Sequence, residues 1–152
     1  MKRKISVVFA LLVVSSLGLA VVAEAAEVEG RGRLWAKGAG YAEVHGDGVI
    51  DISAHGIGTV TVKGADVLRA QGRGRRWDLP DGTTVLAGWR GHIHIEGQDL
   101  AVRMLGGVIE FTAEGSGWAL LKGRGHYRVN GQTGNWTAEG IRIDLAPLTE
   151  IE

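Results

Sequence analysis

The sequence predicts an all-β domain: an antiparallel meander of short strands joined by Gly-x-Gly hairpins, arranged as a closed barrel or a two-sheet sandwich. Three observations carry that expectation. Glycines stand at 32, 40, 48, 56, 64 and 72, a step of eight residues. Between them lie runs such as Tyr-Ala-Glu-Val-His at 41–45 and Thr-Val-Thr-Val-Lys at 59–63, in which apolar and polar residues alternate as they do on a strand. Beyond residue 25, no stretch shows the spacing of an amphipathic helix. The triplets at 38–40, 46–48, 56–58 and 72–74 suit hairpin turns, because glycine takes positive φ without a Cβ clash.

The chain opens with Lys2-Arg3-Lys4, an apolar run from Ile5 to Val22, and the small-x-small site Ala23-Glu24-Ala25. Residues 1–25 therefore read as a signal peptide, and a periplasmic or secreted location is expected. Cleavage after Ala25 removes three basic residues and one acidic one from 17 of each, so 127 residues remain with a formal charge of −2. That length supports one core, and residues 26–145 are expected to form a single domain. So small a charge gives no electrostatic case for nucleic acid as a partner, and membrane contact is expected only if the signal segment is retained. The absence of cysteine excludes disulfides and an acyl anchor on cysteine.

Residues 26–31 read as a polar leader. From Arg33 onward the even positions carry Leu34, Ala36, Ala42, Val44, Ile50, Ile52, Val60 and Val62, while the odd positions are mostly polar. An eight-residue step preserves parity, so one face stays apolar through successive strands. Near Arg75 the pattern slips, and Trp77 and Leu79 are expected to face inward. Pro80-Asp81-Gly82 follows as a turn. Later strands are expected at 83–89, 92–96, 100–105, 108–114, 118–122, 126–130, 136–139 and 141–145, before a flexible acidic tail at 146–152. Segments 32–46 and 117–131 align without a gap, which suggests an internal repeat.

His92-Ile93-His94-Ile95-Glu96 is the sharpest chemical pattern. On a strand, His92, His94 and Glu96 share one face, and two imidazoles with a carboxylate suit a divalent metal such as zinc. Trp35 and Tyr41 have outward parity and suit contact with a glycan or an envelope protein. Arg69, Arg73, Arg75 and Arg76 form the one basic cluster, a candidate for an anionic ligand. His45, His55 and His126 read as polar residues at strand ends. The remaining serines after the signal, Ser53 and Ser116, lie in no Gly-x-Ser-x-Gly elbow, and no glycine loop opens a helix for a phosphate. The expectation is thus not an enzyme but a secreted or periplasmic binding or structural module of the cell envelope or extracellular matrix. Self-association through exposed strand edges is a further expectation. The alternative is an exported protein that binds a divalent metal as its one cofactor, through the His-x-His-x-Glu strand face.

Overall fold

A computed structural model of the chain describes residues 26–146, with side chains from residue 32 onward. The expected signal peptide and residues 147–152 of the tail lie outside the described residues. Seven strands and no helix are present among those described: β1 (Ala26–Arg31), β2 (Arg33–His55), β3 (Thr59–Lys63), β4 (Val67–Asp78), β5 (Thr84–Val129), β6 (Gln132–Asn135) and β7 (Ile141–Ala146). They form one sheet.

The turn at residues 80–82 forms as its residues require. The amide of Leu79 donates to the Thr83 carbonyl at 2.8 Å, Gly82 donates to Leu79 at 3.1 Å, and the Thr83 amide donates to the Asp81 carboxylate at 3.0 Å. From this tip the chain is one long two-stranded ribbon. β2, β3 and β4 run out to it, and β5 runs back. Asp78 stands opposite Thr84, Val67 opposite Glu96, Lys63 opposite Ala101, Val49 opposite Glu114, and Trp35 opposite Arg128.

The ribbon is coiled, because its other edge pairs with its own next turn. Glu114 lies between Arg33 and Val49, and Thr59 between Leu105 and Ala87. Positions 33 and 49 are two glycine steps apart, so the eight-residue period is half a turn of this coil. β7 continues the sheet beyond β5, and β1 lies parallel to β7, with Ala26 opposite Ile141. The segment read as a polar leader is therefore a strand.

Two expectations about connectivity are corrected. Consecutive eight-residue runs do not pair with one another, so no meander forms, and the sheet is not closed into a barrel. The triplets at 38–40 and 46–48 lie inside β2 and not at hairpin turns. Val44 and Ile50, about 20 Å apart on a straight strand, line one small cavity with Leu100, Ala113 and Leu145. The strand must therefore bend sharply at 46–48. Its partner bends with it: Gly46 stands opposite Gly117, and Gly48 opposite Gly115. At φ +142°, Gly117 occupies a region that only glycine enters readily. A Cβ there would collide with the His45 carbonyl oxygen and lie 2.7 Å from the Gly46 Cα. Gly40, Gly48, Gly64 and Gly72 of the periodic set likewise press against a facing backbone, where a Cβ would meet the carbonyl oxygens of Lys122, Glu114, Asp99 and Arg90. Segments 32–46 and 117–131, alike in sequence, are cross-strand partners that turn the same corner.

The alternation does place the core. Leu34, Ala36, Ala42, Val44, Ile50, Ile52, Val60 and Val62 are all buried, with Ile93, Ile95, Val102, Phe111, Leu121 and Ile143 from the later strands. Trp77 and Leu79 are not: they are 46% and 45% exposed. Trp77 stands opposite Val85, on the face away from buried Leu86, and among the described strands β4 pairs only with β5. Residues 136–139 are also not a strand, since only Thr137 makes a bridge, to Lys122. Trp136 instead enters the core, and its indole N–H donates to the His126 carbonyl at 3.0 Å.

Candidate metal centre

The 90–96 segment of β5 lies between β2 and β4, and its parity is fixed by Ile93 and Ile95, both fully buried. His92, His94 and Glu96 therefore face outward together. Across one edge, Asp51 stands opposite His94 and Ser53 opposite His92; across the other, Arg69 and Gln71 do. Asp51 Oδ1 lies 2.6 Å from His94 Nδ1 and 3.1 Å from His92 Nε2. One ligand atom from each of the three falls within 4.8 Å of the others.

Donors about 2.0–2.1 Å from a tetrahedral zinc stand about 3.4 Å apart, so a small opening of the Asp51–His94 contact admits an ion. Two imidazoles and one carboxylate form a donor set suited to zinc, copper or nickel. Glu96 has a different place from the one its spacing suggested. Its Oε1 lies 2.9 Å from His94 Nε2, the ring nitrogen turned away from Asp51. A carboxylate there fixes the tautomer and raises the basicity of the other nitrogen, as outer carboxylates do behind metal-bound histidines. Of the three predicted ligands, the structure brings His92 and His94 to one point and adds Asp51. Strand spacing alone had no access to Asp51, which lies 41 residues before His92.

Hydrogen bonds to Asp51, and then to Glu96, raise the His94 pKa above its ordinary 6.5 against the opposing effect of burial. The charged ring therefore stabilises the metal-free fold fully below pH 6.5, and that contribution is lost as pH rises through the raised value. We expect the melting temperature of metal-free protein to fall across that window relative to His94→Asn. Parallel pH profiles for the two proteins would contradict this. Because the same proton must leave before a metal binds, zinc affinity should rise over the same window.

The other predicted residues are dispersed. Trp35 lies opposite Thr112 and Arg128, with the Arg128 guanidinium 5.9 Å from its ring. Tyr41, past the corner on the same strand, donates its hydroxyl to Glu43 Oε2 at 2.7 Å. The two aromatics share no platform, because consecutive runs of β2 do not pair. Burial and then the bond to Glu43 push the Tyr41 pKa up to about 12. Burial would raise Glu43, but hydrogen bonds from Tyr41 and His45 outweigh it and hold the carboxyl below its usual range. Arg103 Nε also donates to Glu43, at 3.3 Å, and His45 stacks on Trp118 with centroids 4.3 Å apart. His45 is thus part of a polar network that its strand-end position did not reveal. His55 lies 3.4 Å from Glu110, and His126 Nδ1 lies 2.8 Å from Asn135 Oδ1. Arg76 pairs with Asp78 at 3.2 Å, while Arg69, Arg73 and Arg75 form no ion pair among the described residues.

No protein-family model matches the chain, and neither a curated protein nor a solved structure matches it.

Proposed function

We propose that this is an exported, non-catalytic all-β module whose ligand is a divalent transition-metal ion, held by Asp51, His92 and His94. The observation that carries this reading is the convergence of one carboxylate and two imidazoles from neighbouring strands on one point. The support behind it is local. Ile93 and Ile95 lock the strand face, and Glu96 orients His94. Export rests on residues 1–25, and a periplasmic or secreted place goes with it. The apolar faces of the folded sheet suit a two-layer sandwich, on whose outer surface the metal centre lies.

The test is the metal content of untagged protein purified from the exported fraction without chelator. The expected result is about one zinc or copper ion per chain, lost in His92→Ala, with a melting temperature lowered by chelator. Protein that arrives empty and takes up no added zinc would retire the reading.

A further inference from the structure

We infer that a metal ion bound at Asp51, His92 and His94 takes a phosphate group as its remaining ligand, shared with the guanidinium of Arg69. This rests on the metal reading above. Three protein donors leave one position of a tetrahedral ion open, and that position is where catalytic and binding sites admit an outside ligand. The site is accessible, since the His92 and Asp51 side chains are 50% and 36% exposed.

The side of the site away from Asp51 carries the Glu96 carboxylate, already engaged by His94 Nε2, and beyond it the arginines of β4. β4 brings Arg69 opposite His94, Gln71 opposite His92, and Arg73 opposite Arg90. Directly opposed residues on one face of an antiparallel pair have Cβ atoms about 5 Å apart, so an arginine at position 69 is long enough to reach a ligand held beside His94. Among the described residues Arg69, Arg73 and Arg90 form no ion pair. Arg73 and Arg90, opposed in register, leave this edge with an excess of positive charge. A divalent ion added next to this edge deepens the same imbalance.

Phosphate fits the gap better than carboxylate does. A phosphate monoester offers three oxygens, one for the metal and two for the planar fork of an arginine. A carboxylate has two oxygens and must share one between the ion and the fork. The dianion also matches the charge of the ion it joins. Both free phosphate esters and phosphate headgroups of a lipid surface carry this chemistry.

The experiment is calorimetric titration of phenyl phosphate into protein loaded with one equivalent of zinc and into zinc-free protein, each also with Arg69→Ala. A parallel arm measures co-sedimentation with vesicles of phosphatidylcholine and phosphatidic acid in equal parts. The expected result is binding at least about tenfold tighter with zinc present, and about tenfold weaker again in Arg69→Ala while its zinc stoichiometry is unchanged. Zinc-dependent binding of phenyl phosphate alone assigns the site to soluble esters; zinc-dependent capture by the vesicles as well extends it to lipid headgroups. Phosphate binding that is absent, or equal with and without zinc, in a protein that still takes up zinc overturns this inference and leaves the metal reading standing. A protein that takes up no zinc overturns both.

Discussion

Gly117→Ala is expected to destabilise the protein by about 4 kcal/mol, enough to remove a large part of the stability of a domain this size. Two costs add. The backbone at φ +142° is essentially reserved for glycine, and a side chain there carries roughly 1–3 kcal/mol of strain. The new methyl group also meets the His45 carbonyl and the Gly46 Cα, backbone atoms with no rotamer to give way, which adds overpacking of about 1–3 kcal/mol. Gly82→Ala is the matched control. It too has positive φ, +85°, but a Cβ would meet nothing within 4 Å. Its cost is about 1 kcal/mol, from backbone conformation alone. Urea denaturation of both variants separates the two effects. Equal midpoints for the two would mean that the corners are not in backbone contact.

Asp51→Ala is expected to abolish zinc binding at micromolar protein, a loss of about a hundredfold or more, whereas Glu96→Ala should cost about ten- to a hundredfold. The difference follows from what each carboxylate touches. Asp51 Oδ1 faces both His92 and His94, and its removal takes away one of three donors. Glu96 reaches only the far nitrogen of His94, so its removal loosens the ring and lowers its basicity while leaving the donors in place. Competition against a chromophoric chelator measures both affinities, and circular dichroism checks that the sheet persists. If Glu96→Ala proved the more damaging, the carboxylate roles would be reversed and the His-x-His-x-Glu pattern would itself be the ligand set.

That comparison marks where the sequence stops being informative about the site. His92 and His94 were legible because alternation around Ile93 and Ile95 fixes their shared face within one strand. Asp51 was not, because its approach depends on which strand lies beside 90–96. Trp35 and Tyr41 show the same limit from the other side. Their outward parity holds, but β2 pairs with β5 and not run against run with itself, which keeps them apart.

The sequence alone determined the all-β class, the turn at Pro80-Asp81-Gly82 and the apolar face from Leu34 to Val62. These are local consequences of alternation, of proline and glycine stereochemistry, and of the need to hide one face from water. Only the tertiary structure decided that the eight-residue glycine step is a corner in a coiled ribbon and not a hairpin. A glycine at positive φ serves either purpose equally well, and the choice depends on whether the next strand pairs with its neighbour in sequence or with one far along the chain, as Gly48 does with Gly115. The same long-range pairing brought Asp51 to the two histidines, since a register between distant strands is set by the closing of the core and leaves no trace in either segment.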